Sequence, residues 1–219
     1  MSSRTSVPFN PAVHHVRGLR RHTAAPVASK PTVAYRQRAG HTGGGLPFNA
    51  PEVWHEPLGA GRLRVIVQPA GIDYVHPITE TEVRTRLGQL PPQFIRNLEV
   101  VQLSRMTRKR QAFPCYGMQW GQAVYLYPIE AGLVETYSVP PQPAQQIEAR
   151  MFGATWTQCG SVWTLTWTME SLKDFYLNNV LIHEVGHLND PRNTSHRERE
   201  RFANWFAIEH GYRATRGRQ

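Results

Sequence analysis

Three short stretches in the middle of the chain alternate polar and apolar positions. Arg62–Gln68 reads RLRVIVQ, Leu98–Leu103 reads LEVVQL and Ala123–Pro128 reads AVYLYP. Successive side chains of a strand point to opposite faces of a sheet, so this period of two predicts three β-strands. In the third stretch the alternation places Tyr125 and Tyr127 on the same face.

The segments around these strands carry hairpin, helix and loop signals. In Ala154–Thr168, Trp and Thr alternate on both sides of a Cys-Gly-Ser turn, which is typical of a β-hairpin. Thr79–Glu82 (TETE) opens a short helix that ends near Leu87, and Pro143–Phe152 is predicted to form another. The basic segment Arg105–Arg110 (RMTRKR) is predicted to be a loop.

The apolar period lengthens to that of a helix near the carboxyl end of the chain. Ser171–Leu188 has this longer period, and Pro191 stops the helix that it predicts. Ser195 is the expected N-cap of a last helix over His196–His210, and Gly211 is its expected terminator. This part of the chain is therefore predicted to be two helices joined by a short connection.

The first of these two helices contains the sequence HEVGH, which runs from His183 to His187. Positions i and i+4 lie one turn apart on one face of a helix, so both imidazoles can reach the same ion. Zinc is commonly held by such a pair, and the adjacent Glu184 can accept a proton from a water molecule beside the ion. The motif predicts a zinc site with Glu184 as the general base.

A catalytic zinc site needs a third protein ligand, and several downstream residues have suitable side chains. They are Asp190, His196, Glu198, Glu200, Glu209 and His210. Glu198 lies three residues after Ser195, a spacing that predicts a capping role for its carboxylate. Glu200 shares a helical face with small residues such as Ala203, and Gly186 on the motif helix would allow close approach. These observations favour Glu200 as the third ligand and leave His196 as the alternative.

The two helical segments together resemble a known family. HEVGHL, followed by ERFANWFA over Glu200–Ala207, is similar to the minimal gluzincins, and particularly to the ImmA/IrrE-type metallopeptidases, which show H-E-x-G-H and then E-x-x-A-N-x-F-A. The resemblance implies peptide hydrolysis, with Glu184 as the catalytic acid and base. It also implies three zinc ligands, namely His183, His187 and Glu200.

The same resemblance implies a fold. It predicts an α+β domain of the zincin-like kind, with a small, twisted, mostly antiparallel sheet, an active-site helix carrying the HExxH motif and a following helix carrying the third ligand. Such a domain has an edge strand beside its cleft, and Ala123–Pro128 is expected to be that strand. An extended peptide substrate would add to it as a further strand. We assign this metallopeptidase domain to residues 56–219.

Charge and proline distinguish the first 55 residues from this domain. Residues 1–50 contain seven Lys or Arg and no Asp or Glu, so they account for most of the formal net charge of +9. Proline recurs in this segment without a helical or strand period, which predicts a disordered tail. Cys115 and Cys159 are predicted to be free thiols. With no long apolar run in the sequence, we expect a cytoplasmic protein that does not contact a membrane.

The basic tail also supports an alternative from a different functional class. The protein would then be a nucleic-acid-binding module, zinc-stabilised or metal-free, that uses the tail and the Arg105–Arg110 loop. Trp156, Trp163 and Trp167 in the hairpin could add a stacking platform for single-stranded nucleic acid, or could pack against each other within the sheet.

Overall fold

The computed structural model describes residues 50–56, 59 and 62–216, so the predicted disordered tail lies almost entirely outside the described residues. The described chain is an α+β structure, as predicted, but its strands form three small sheets rather than one. Most strand pairs are antiparallel. None of the helices in the described ranges is long and apolar enough to cross a membrane.

Nine short strands contribute to these sheets within the described ranges. They are β1 (Arg64–Val67), β2 (Tyr74–Val75), β3 (Val100–Leu103), β4 (Gly117–Trp120), β5 (Ala123–Leu126), β6 (Ile129–Glu130), β7 (Val134–Tyr137), β8 (Thr155–Cys159) and β9 (Val162–Thr166). The three strands and the hairpin predicted from alternation are therefore confirmed as β1, β3, β5 and the β8–β9 pair. The remaining four strands carry too few residues in alternation to be detected.

The helices of the described chain are interspersed with the strands and end in a C-terminal pair. They are α1 (Glu80–Gly88), α2 (Pro92–Ile95), α3 (Arg108–Ala112), α4 (Pro143–Met151), α5 (Met169–Phe175), α6 (Leu181–Leu188), α7 (His196–Ala207) and α8 (Ala214–Arg216). Thr79 caps α1 and Ser195 caps α7, as their sequences predict. The Arg105–Arg110 prediction is wrong in part, because its second half forms the start of α3, capped by Thr107.

The largest sheet has four strands in the order β1-β3-β5-β4. The first three of these strands are parallel, and β4 pairs antiparallel with β5 at the edge. The expectation that Ala123–Pro128 forms the edge strand is wrong: β5 lies inside the sheet, and its neighbour β4 occupies the edge. The order of strands depends on pairing between distant segments, which the alternation within one strand does not specify.

The two faces of this sheet bury different side chains. Val101 and Val124 point into the main core against the helices, whereas Tyr125 and Tyr127 belong to a second cluster on the opposite face, as the alternation predicts. Residues 50–56 lie on this second face, where the His55 ring pairs with the Gln102 side chain at 2.6 Å. The end of the predicted tail thus contacts the sheet in the described structure.

The predicted helix over Ser171–Leu188 is confirmed: α5 and α6 form one continuous helical segment through a π-helical turn at Tyr176–Val180, and this segment begins two residues earlier than predicted, at Met169. A second π-helical turn, Ile208–Arg213, joins α7 to α8. The prediction that Gly211 terminates the last helix is therefore wrong. A Cβ atom at Gly211 would lie 1.9 Å from the carbonyl oxygen of Asn178, so this glycine permits contact between the two turns rather than ending a helix.

The hairpin strands β8 and β9 form a separate sheet with β7, in the order β7-β9-β8. Trp167, just after β9, is buried and donates a hydrogen bond to the Glu135 carboxylate at 2.9 Å. Trp156 packs against Tyr137 within this sheet. For these two tryptophans, the structure therefore favours packing within the protein over a stacking platform for single-stranded nucleic acid.

Candidate metal centre

The site is built on α6, which places His183 and His187 one turn apart on the same side. Both imidazoles are largely buried, with 2% and 11% of their side chains exposed. Their Nε2 atoms face each other at 3.1 Å. The helical spacing of the motif therefore brings two nitrogen donors to one point, as its sequence predicts.

Close packing between α6 and α7 brings a carboxylate to the same point. A Cβ atom at Gly186 would lie 3.0 Å from the Cα atom of Ala203 and 3.1 Å from the Cβ atom of Phe206. The absence of a side chain at Gly186 thus lets the two helices touch, which is the reason for this glycine that the sequence suggested. The contact places Glu200 opposite the two histidines.

The three side chains converge on one small volume. The Glu200 carboxylate oxygens lie 3.5 Å from Nε2 of His183 and 3.3 Å from Nε2 of His187. Ligands held at about 2.0–2.1 Å from a tetrahedral ion lie about 3.3–3.4 Å from each other. The spacing of the three donor groups therefore fits a zinc ion with three protein ligands, and among the described residues this is the only such group of three.

The charges within the trio favour ligand behaviour. Burial works against an ionised Glu200, but hydrogen bonds from His183 and His187 outweigh burial and hold the pKa of Glu200 well below its usual range. Burial likewise works against a charged His187, whereas the Glu200 carboxylate beside it raises the pKa of His187 overall. A divalent cation in this position would take the place of these protons, because it interacts favourably with the same carboxylate.

Glu184 lies next to the trio in a nearly closed environment, with 4% of its surface exposed. Burial raises the pKa of Glu184 to about 7, although His187, the backbone amide of Gln119 and the positive charge of Arg199 all oppose this rise. A group that exchanges protons near neutral pH has the property that a general base requires. Glu184 is therefore suited to proton transfer in the position predicted from the motif.

The edge strand β4 runs directly beside Glu184. The backbone amide of Tyr127 donates to the carbonyl of Tyr116, so these two residues form a hydrogen-bonded pair between the neighbouring strands. Such pairs recur at every second residue of an antiparallel pair, so the main-chain groups of Met118 and Trp120 also point towards β5. The main-chain groups of Gly117 and Gln119 consequently point away from the sheet. No described strand lies beyond β4, so no strand in the described part of the chain pairs with this edge beside the trio.

The other candidate ligands lie elsewhere or have other partners. His196 is 68% exposed and is 3.7 Å from Glu200 rather than part of the trio. The Asp190 carboxylate accepts hydrogen bonds from Asn193, and Glu198 accepts one from the Ser195 hydroxyl at 2.7 Å. The remaining two candidates also have other partners. Glu209 pairs with Arg213, and His210 packs against Phe94.

Three residues beside the trio were not singled out in the sequence. They are Gly117, Gln119 and Arg199. A glycine within a strand can mark close approach of another element, but β4 has too weak an alternation to be recognised as a strand. Arg199 lies in an alternating run of Arg and Glu, a pattern typical of an exposed helical face, and only the packing of α7 brings it into the cleft.

Comparison with protein-family models, curated proteins and solved structures gives no match for this chain. The arrangement of the side chains therefore carries the functional interpretation.

Proposed function

We propose that this protein is a zinc-dependent metallopeptidase of the minimal gluzincin kind, with His183, His187 and Glu200 as the metal ligands and Glu184 as the general base. The observation that carries the proposal is the convergence of three donor groups at distances of 3.1–3.5 Å. When bound, zinc would supply Lewis acidity, which acidifies a water molecule and polarises a carbonyl group.

The side chains of the protein supply the proton transfers. Glu184 accepts a proton from the attacking water at a carboxylate oxygen and then delivers it to the nitrogen of the departing amine. Burial raises the pKa of Glu184 above its usual range, which suits a group that must gain and lose one proton in each cycle. Burial excludes bulk water, which would otherwise weaken the interaction between the carboxylate and the reacting atoms.

The edge of β4 supplies the means to orient a substrate. An extended peptide could pair with the outward main-chain groups of Gly117 and with the carbonyl of Gln119, whose amide donates to Glu184, and so become a further strand of the sheet. This pairing recognises backbone rather than side chains, which is the property expected of a binding edge in a peptidase. It also brings a peptide bond close to Glu184, because β4 is packed directly against that side chain.

The alternative, nucleic-acid binding, receives less support from the described residues. Arg110, at the end of the basic segment, is buried against Glu52 and Tyr127. Trp167 is also buried, so neither side chain is available at the surface for phosphate or base contacts. The basic tail, to which this hypothesis gives the main role, lies outside the described residues.

Metal analysis combined with peptide cleavage tests the proposal on the full-length chain. We expect about one zinc per chain in the wild type and in Glu184→Gln, and little in His183→Ala. A mixture of unrelated peptides, analysed by mass spectrometry, should be cleaved by the wild type about 10²–10⁴ times faster than by Glu184→Gln. His196→Ala is the matched control and should retain both metal and activity. A wild type without stoichiometric metal, or a fully active Glu184→Gln, would exclude the proposal.

A further inference from the structure

Arg199 is a half-buried cation that forms no ion pair with a carboxylate of the described residues. On α7 its neighbours at three and four residues are Ser195, His196, Phe202 and Ala203, none of which carries a negative charge at neutral pH. No carboxylate in the described part of the chain forms an ion pair with it. Its Nε atom is buried and has no hydrogen-bond partner there. A guanidinium group with this much unused donor capacity is prepared to bind an anion.

Within the described ranges, Arg199 is oriented by a hydrogen bond that it donates to the edge strand. Its Nη2 atom donates to Oε1 of Gln119 at 3.4 Å, which is a long contact to a neutral acceptor. The Gln119 side chain is itself fixed, since its Nε2 atom donates to the carbonyl of Gly121 at 2.5 Å. The guanidinium is therefore held between α7 and β4 while most of its donors stay unused.

This position borders the catalytic centre. Arg199 donates to the side chain of Gln119, and the backbone amide of the same residue donates to the carboxylate of Glu184, so one residue of β4 links the guanidinium to the proposed general base. It also lies against β4, the strand that a bound peptide would follow. Any group that binds to Arg199 would accordingly belong to the part of a substrate next to the bond that is cleaved.

The charges of the site agree with an anionic group there. A zinc ion carries two positive charges, and the carboxylates of Glu200 and Glu184 balance them when both are ionised. Arg199 then leaves one uncompensated positive charge at a half-buried position, where electrostatic interactions are stronger than at the fully exposed surface. A carboxylate neutralises this positive charge, and its two oxygens can accept two parallel hydrogen bonds from the guanidinium.

We propose that Arg199 determines substrate specificity by binding a carboxylate group of the substrate next to the scissile bond. This inference rests on the proposed peptidase function. The carboxylate can come from an Asp or Glu side chain or from the free carboxyl terminus of a peptide. Both sources offer two oxygens to the guanidinium, and the choice between them depends on how far the peptide extends along β4.

Peptide cleavage with charge variants tests this assignment. The substrates are a set of matched peptides that carry Glu, Gln or Lys at each position in turn, with a free or an amidated carboxyl terminus. We expect wild type to prefer one carboxylate position, and Arg199→Gln to lose about tenfold to about a hundredfold in the ratio of kcat/KM for the Glu peptide to kcat/KM for the Gln peptide at that position. Arg199→Glu should prefer Lys at the same position. A preference confined to free termini would identify the terminal carboxylate as the source.

A binding measurement provides a readout that is separate from turnover. Fluorescence anisotropy measures peptide binding to the Glu184→Gln protein. A second substitution in the same chain, Arg199→Gln, should weaken binding of the preferred carboxylate peptide, and Arg199→Lys should weaken it less. Arg197→Gln is the matched control, because Arg197 is exposed on the same helix and its variant removes the same single positive charge. If peptides are cleaved but Arg199 variants retain the wild-type preference, the inference is wrong. If no peptide is cleaved by any variant, the proposed function itself fails.

Discussion

Gly117 and Glu184 lie so close together that no side chain fits between them. A Cβ atom on Gly117 would be 2.9 Å from Oε1 of Glu184 and 2.8 Å from Cγ1 of Val180. The glycine therefore allows α6 to rest directly on the edge strand, with the proposed general base against the main chain of β4. This contact links the sheet to α6, and its consequences can be tested without altering a proposed ligand.

A Gly117→Ala variant should keep zinc but lose activity. The added methyl group must displace Glu184 or separate α6 from β4, and a shift of about 1 Å in a reacting group can cost about a hundredfold in rate. We expect kcat/KM for peptide cleavage to fall by about that factor, with zinc content unchanged. Gly132→Ala is the control, since a Cβ atom there meets no other atom within 4 Å. Equal activity of the two variants would refute the importance of this contact.

The contact between the two π-helical turns should matter for stability rather than chemistry. In Gly211→Ala the new Cβ atom would overlap the carbonyl oxygen of Asn178. The two π-helical turns that carry these residues must therefore move apart. Overpacking of this kind costs about 3 kcal/mol in severe cases. Urea denaturation should show a loss of that size in the free energy of unfolding. Gly88→Ala, which meets no neighbour, should be neutral or slightly stabilising, and a stable Gly211→Ala would contradict the described packing.

Zinc affinity should decrease in acid. The pKa of His187 is raised above 6.5, since the effect of the Glu200 carboxylate exceeds that of burial. Its proton therefore stabilises the metal-free fold fully below the unfolded-state value, and that stabilisation is lost as the pH rises through the folded-state pKa. Zinc needs the unprotonated nitrogen, so its dissociation constant should increase about tenfold for each unit of pH below that pKa. Chelator competition at several pH values measures this slope. A constant affinity would show that His187 does not bind the ion.

The buried Glu135 should make stability depend on pH in the opposite sense to most carboxylates. Burial raises the pKa of Glu135, although hydrogen bonds from Tyr116, Trp167 and Tyr137 oppose the rise. The contribution of Glu135 to the free energy of unfolding is therefore complete below 4.5, the pKa of a Glu side chain in the unfolded state. This contribution is lost as the pH rises through the folded-state pKa.

A comparison of variants isolates this effect of Glu135. In Glu135→Gln the group no longer titrates, so the unfolding free energy of the wild type should fall relative to this variant between acid and neutral pH. Denaturation curves of both proteins across that range measure the difference. Glu170→Gln, at an exposed position, removes the same charge and should follow the wild type. Parallel curves for wild type and Glu135→Gln would show that Glu135 does not contribute.

Local patterns in the sequence predicted most of the elements that position the site. Alternation located β1, β3 and β5, and helical spacing placed His183 and His187 on one face, because both periods are properties of a single segment. The cap at Ser195 was also predicted, since its partner lies only three residues away. The errors at Ala123–Pro128 and Gly211 have a common cause: in each, the decisive neighbour is distant in sequence.

The sequence by itself determined that His183, Glu184 and His187 lie together, because their spacing within one helix fixes their relative positions. It favoured Glu200 but could not bring it to the histidines, which requires the contact between Gly186 and Ala203 on different helices. Only the tertiary structure made β4 the edge strand beside Glu184 and turned Arg199 from a surface residue into part of the cleft. Strand order and helix packing are set by contacts between segments that are distant in sequence. The pattern within one segment does not specify which distant segment it will contact.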